Sequence, residues 1–121
     1  MKQTPASRKS NEELRNRVAS VILFHISDPR LQLITVTGAE VSKDRSVADI
    51  YVSADKKRYE QVKAGLEAAK GRIRSLVGKE LTWRVTPELR FHIDTTVDSA
   101  EHIAEVLESE RKWQDSITRE Q

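Results

Sequence analysis

Apolar and polar positions alternate along the chain with two periods, and the changes of period mark out seven elements. Leu14, Val18, Val21, Ile22 and Ile26 recur at helical spacing. Ser10 and Glu13 fit a capping box at the head of that run, so a helix is predicted from Ser10. Asp28 and Pro29 stop it, because the residue before a proline is pushed out of the helical region. Residues 1–9 show no apolar period and are expected to be a flexible basic lead-in. Residues 31–42 are rich in β-branched side chains, and residues 46–54 alternate with Ala48, Ile50 and Val52 on one face. Lys43, Asp44 and Arg45 lie between them with the length of a hairpin connection, so the two strands are expected to be antiparallel neighbours.

A second helical period runs through Tyr59, Val62, Leu66, Ala69, Ile73 and Leu76. Gly71 falls inside it, and a mid-helix glycine costs about 1 kcal/mol relative to alanine. A break into two consecutive helices is therefore predicted there. From Leu81 the period drops to two: Leu81, Trp83, Val85, Pro87, Leu89, Phe91 and Ile93 share one face, and Thr82, Arg84, Thr86, Glu88, Arg90, His92 and Asp94 the other. This predicts a strand that is bulged at Pro87 or lies at an edge, since proline has no amide to donate. Thr95 or Thr96 then caps a last helix carrying Ala100, Ile103, Val106 and Leu107, followed by a polar acidic tail over residues 109–121. The order helix, strand, strand, helix, helix, strand, helix predicts an α+β domain over residues 10–108, a three-stranded sheet with helices on one face.

Composition narrows the function classes. At 121 residues with 37% hydrophobic and 33% charged positions, the chain suits one domain with narrow, well-patterned buried faces. It has no cysteine, which removes disulfides, thiol nucleophiles and cysteine-bearing metal sites. His25, His92 and His102 are isolated from one another, and no glycine-rich phosphate loop ends in Lys-Ser or Lys-Thr. No catalytic residue, no metal site and no cofactor is expected. No stretch of about 18 apolar residues occurs, so a soluble cytoplasmic protein without a membrane partner or small-molecule substrate is expected. The net charge of +2 hides an asymmetry: residues 1–94 hold 18 Lys and Arg against 12 Asp and Glu, and residues 95–121 hold 3 against 7. A basic body points to a polyanion partner, because each phosphate neutralised releases condensed counterions.

Several strings carry a resemblance. They are DPRL at residues 28–31, ITVTGAEVSKD at 34–44, the Ala69-Lys70-Gly71 segment leading to IRSLVGKEL at 73–81, and TPELRFHID at 86–94. In this order, across nearly the whole patterned region, they resemble ribosome-binding factor A. The resemblance implies a type II KH-like fold in which a kink at Ala69-Lys70-Gly71 replaces the Gly-x-x-Gly loop. It further implies a non-enzymatic factor that binds the free small (30S) ribosomal subunit and its 16S rRNA, assists late maturation and rRNA processing, and supports growth after cold shock. A monomer is expected; the alternative readings are a generic KH-like module for single-stranded RNA and a protein-interaction scaffold acting through its acidic tail. The basic loop at residues 55–58 and the segment after Leu107 depart from the family pattern, so no contacts carry over to them.

The candidate RNA contacts follow from charge and placement. Lys70, Arg72 and Arg74 surround the expected kink at Gly71, where exposed amides would meet phosphate; alternatively, Gly71 only lets two helices pack closely. Lys63, Lys70 and Arg74 share a helical face, a basic stripe or an ordinary solvated surface. Lys43 and Arg45 project from the hairpin, and Arg84 and Arg90 from the polar face of the last strand. Lys79 closes the second helical region. Arg30 is expected to pair with Asp28 or to cap the preceding helix, and Trp83 to lie in the core.

Overall fold

A computed structural model of the chain describes residues 5–95, with side chains from residue 7 onward. The final helix expected around Ala100 and the acidic tail lie outside the described residues.

The first helix, α1, spans Pro5–His25 and begins five residues before the predicted start. Pro5 suits a first helical position, where the missing amide would have had no partner anyway. Residues 5–9 of the expected lead-in are thus helical, and Ser10 lies inside α1 instead of capping it. Leu14, Val18, Val21 and Ile22 are buried as the period requires. Asn11 is buried among them, and its Oδ1 accepts the Val41 amide at 2.9 Å. After α1, Asp28 caps a short 3-10 turn, Pro29–Leu31, by accepting the Arg30 amide at 2.9 Å. The Arg30 guanidinium donates to the same carboxylate through Nη2 at 2.7 Å and Nε at 3.0 Å, the first of the two structural roles expected for it. That pairing holds the Asp28 carboxyl below its ordinary range.

The strands β1 (Thr35–Val41) and β2 (Val47–Ser53) are antiparallel, with a bulge between Val36 and Gly38. Their hairpin closes through the Arg45 amide donating to the Ser42 carbonyl at 3.0 Å, with Arg45 at φ 59°. A three-residue loop ending in a left-handed residue has this geometry. Asp44 organises the turn, its Oδ1 accepting from Ser46 Oγ at 2.7 Å, Ser42 Oγ at 2.9 Å and the Ser46 amide at 3.0 Å. These donors, the Ser46 hydroxyl foremost, pull its carboxyl from an ordinary 3.8 to about 2. Because the folded value lies below the unfolded one, the stabilisation from Asp44 is complete above pH 3.8 and is lost as the pH falls through about 2. Asp44→Asn is expected to melt below the parent at pH 6, and the gap is expected to close between pH 4 and pH 2. A gap that stayed constant over that range would remove the carboxylate from the account.

A second 3-10 turn, Lys56–Arg58, leads into α2, Tyr59–Glu80. Here the structure departs from expectation: 22 residues form one unbroken α-helix through Ala69, Lys70 and Gly71, where two pieces were predicted. Val62, Leu66, Ile73 and Val77 are buried along it, and this continuous apolar stripe outweighs the local cost of one glycine. Gly71 itself is exposed, and a Cβ added there would meet nothing within 4 Å. Packing does bear on two other glycines of α2: a Cβ at Gly65 would lie 3.0 Å from Leu31 Cδ2 and 3.1 Å from Arg30 Cβ, and one at Gly78 would lie 2.7 Å from Thr86 Oγ1.

The predicted strand of residues 81–94 shrinks to β3, Glu88–Ile93. Leu81 and Pro87 are buried and Trp83 is half-buried, but Val85 is 55% exposed, so the alternation does not hold before Pro87. The carbonyls of Thr86 and Pro87 are taken instead by Arg74, whose Nη2 and Nε donate at 2.8 and 3.0 Å. Pro87 precedes an edge strand, the position proline tolerates. β3 pairs in parallel with β2, giving a mixed sheet of order β1-β2-β3. Ala48, Ile50, Val52 and Leu89 are fully buried under α1 and α2, which cover one face of the sheet. The other face is open among the described residues.

Candidate nucleic-acid interface

The predicted cations divide according to what already holds them. Arg45 is engaged: its guanidinium stacks over the Trp83 ring at 4.7 Å, and its Nη2 donates to Ser10 Oγ at 3.2 Å. The Trp83 indole N–H donates to Glu13 Oε2 at 3.4 Å. Ser10 and Glu13, read from sequence as a capping pair, thus tie the hairpin and the segment before β3 onto α1. Arg74 is bound to the Thr86 and Pro87 carbonyls. Arg90 lies on the open face of the sheet, 3.8 Å from Glu88. Lys70 is half-buried, 3.9 Å from Glu67. Arg84 sits in a bend, outside the strand to which its period assigned it.

Lys43, Lys63, Arg72, Lys79 and Arg84 are exposed and form no ion pair among the described residues. Three of them belong to α2. Along its outer surface Ala64, Ala68, Gly71 and Ser75 are exposed at spacings of four, three and four, which makes one smooth stripe. Lys63, Lys70 and Arg74 flank that stripe on the side of β3, and Arg72 and Lys79 flank it on the other. Gly71 stands in the middle of this surface. The amides around it are used within the helix and offer no phosphate cradle. Lys56 and Lys57, exposed in the turn leading into α2, extend the same charge; their run with Arg58 was visible in sequence but had no matched string to assign it. Arg58 itself is structural, donating to the carbonyls of Gln32 at 2.7 Å and Arg30 at 3.2 Å.

The open sheet face has the opposite character. Register places Glu40 beside Asp49, and Asp49 beside Arg90. Glu88 and Asp94 add two more carboxylates at the ends of β3. His92 Nε2 donates to Asp49 Oδ1 at 2.8 Å, and its ring lies 5.4 Å from that of Tyr51. Burial, with the negative charges of Glu40, Asp49 and Asp94 added, raises the Tyr51 phenol above its ordinary value. The open sheet face is thus rich in carboxylates, in contrast to the unpaired cations along α2.

With this arrangement established, comparison with known proteins decides the family. The model of the ribosome-binding factor A family matches residues 6–107. The chain belongs to that family. A ribosome-binding factor A of Moorella thermoacetica is 36% identical over 111 residues, 88% of this chain and 91% of that protein. One from Leuconostoc mesenteroides is 40% identical over 102 residues, 79% of this chain and 85% of its own length. Among solved structures, the crystal structure of ribosome-binding factor A from Thermus thermophilus aligns with a TM-score of 0.65 at 30% identity, covering 72% of this chain and 94% of that one. A Thermus thermophilus homology model fitted into the cryo-EM map of a 30S complex aligns at 0.59 and 31% identity, over 69% and 90% of the two chains. The fold of the family is KH-like, and the α+β arrangement of β1-β2-α2-β3 with α1 in front is the one its resemblance implied, except that the helix pair expected about Ala69-Lys70-Gly71 is the single helix α2. Among the described residues no helix is long and apolar enough to cross a membrane, and no group of acidic or histidine side chains is placed to hold a metal.

Proposed function

We propose that the chain is a non-catalytic, monomeric assembly factor of the cytoplasm that binds the free small ribosomal subunit and its 16S rRNA. It acts in late maturation and processing of that RNA, and it needs no cofactor. The reading draws on the family and on a relative that has been fitted into a 30S complex. The observation that carries it is a contrast between two surfaces: the outer side of α2 carries Lys63, Arg72 and Lys79 without ion pairs, beside Glu60 and Glu67, and the open sheet face carries Glu40, Asp49, Glu88 and Asp94. Structured RNA is recognised largely by shape and backbone charge, which a smooth helix edged by Lys63, Arg72 and Lys79 supplies without aromatic stacking platforms. Lys43 and Arg84 extend the contact from the hairpin and from the bend before β3. In the bound state the protein holds or displaces an RNA helix and makes or breaks no bond.

Sedimentation of cell extract through a sucrose gradient is expected to place the protein with free small subunits and not with translating ribosomes. Binding to purified subunits is expected to weaken with salt, each phosphate contact contributing about 0.7 to 0.9 to the logarithmic slope. Migration only at the top of the gradient, at low salt, would exclude the ribosomal partner.

A further inference from the structure

The two edges of the sheet are treated differently. On β1, the bulge between Val36 and Gly38 disrupts the free edge, and Asn11 Oδ1 takes the outward Val41 amide. Both are ways in which proteins blunt an edge against strand addition. Among the described residues β3 has no such protection. The Glu88 amide donates to the Ser46 carbonyl at 2.9 Å and the Asp94 amide to the Val52 carbonyl at 2.7 Å, which sets the phase of the parallel ladder. Residues 88, 90, 92 and 94 therefore turn their backbone groups toward β2, and Leu89, Phe91 and Ile93 turn theirs outward. Among the described residues no strand pairs with them.

Alongside this edge runs a cleft of about 150 Å³ between α2 and β3, lined by Lys63, Leu66, Glu67, Phe91, His92 and Ile93. A cavity of roughly that volume admits a benzene-sized group. A strand laid along the edge would send alternate side chains into the cleft and over the open sheet face. The cleft is floored by Leu66 and Phe91 and takes an apolar group; the open face carries Glu40, Asp49, Glu88 and Asp94 around Arg90, an acidic excess that takes further cations.

We propose that the free edge of β3 is a docking site for an extended basic protein segment, which adds as a fourth strand, inserts an apolar side chain against Phe91 and Leu66, and lays Lys or Arg side chains over the carboxylates of the open face. Main-chain hydrogen bonds supply the affinity in this mode of recognition and the alternating side chains the selectivity. Nucleic acid is the poorer occupant, because its phosphates would meet those carboxylates. The site shares Lys63 with the edge of the α2 surface but rests on the outward backbone of β3 and on the open sheet face, so its failure would leave the RNA reading standing.

The test uses the full 121-residue chain, labelled with nitrogen-15, and an eight-residue peptide alternating lysine and valine. Binding is expected to shift the Leu89, Phe91 and Ile93 amides and to slow their hydrogen exchange. Affinity is expected to fall at least tenfold for a glutamate-valine peptide, for the lysine-valine peptide N-methylated on alternate residues, and for the protein carrying Glu40→Lys and Glu88→Lys. Both substituted positions are exposed, and the N-methyl peptide leaves the protein untouched. Equal binding of the N-methylated peptide would overturn strand addition. Displacement of the peptide from the same three amides by a short oligouridine would give the edge to RNA and overturn the proposal likewise.

Discussion

Within one helix, Gly71→Ala is expected to raise stability by about 1 kcal/mol and Gly65→Val to lower it by about 1 to 3 kcal/mol. Gly71 is exposed, its surroundings are empty within 4 Å, and its φ is not positive, so alanine there gains helix propensity and restricts only the unfolded chain. Gly65 is buried against the 3-10 turn, where Leu31 Cδ2, Leu31 Cγ and Arg30 Cβ all lie within 3.3 Å of the added carbon. Leu31 is itself buried and Arg30 is clamped to Asp28, so neither neighbour can withdraw without breaking other contacts. A valine would press on both and would force the turn off the helix. Urea or thermal denaturation reads both effects, at roughly 4 to 8 °C per kcal/mol for a domain of this size. A Gly71→Ala variant less stable than its parent would mean that the glycine backbone carries strain the helix depends on. If the variant is more stable and yet binds small subunits more weakly, the reason for the glycine lies in the close approach of RNA.

Lys63→Ala, Arg72→Ala and Lys79→Ala combined are expected to lower affinity for the small subunit on the order of 10²- to 10³-fold, roughly tenfold per lost charged contact. The logarithmic salt slope is expected to flatten by about 2 to 3. The melting temperature is expected to stay within a degree or so of the parent, since surface changes without partners are worth about 0.5 kcal/mol or less. Arg74→Ala is expected to behave in the opposite way. It removes two donors from the Thr86 and Pro87 carbonyls, loosens the entry to β3, and lowers stability by about 1 to 2 kcal/mol, with a smaller effect on binding. Small-subunit affinity and salt slope unchanged in the triple variant would put the interface elsewhere than α2. The contrast matters because Arg72 and Arg74, two residues apart and chemically alike, are sorted entirely by what lies next to them.

The legible part of this protein is the part written in local periods. Leu14, Val18, Val21 and Ile22 announced α1 and its buried side; Ala48, Ile50 and Val52 announced the central strand; the Lys43-Asp44-Arg45 connection announced a hairpin; and all three occur. Asp28 with Arg30 was legible because a side chain two residues away across a proline turn can hardly miss its partner. The ordered strings DPRL, ITVTGAEVSKD and TPELRFHID carry the family signature in the sequence itself. The site was less legible. Of the ten predicted contact residues, Arg45, Arg74 and Arg90 are held by Trp83, by two backbone carbonyls and by Glu88, partners 2 to 38 residues distant in sequence.

What the sequence determined by itself is the succession of elements, their buried faces, the basic character of the body and the family, because each follows from neighbours a few residues apart or from strings that are read whole. Only the tertiary structure decided that α2 runs unbroken past Gly71, that the last strand begins after Pro87, and which cations remain unpaired. Helix continuity depends on a buried stripe gripping the sheet over its full length, strand length on whether a partner strand or an arginine reaches the carbonyls first, and a cation's availability on which carboxylate or ring the fold brings beside it. Those are contacts between distant parts of the chain, and no local period encodes them.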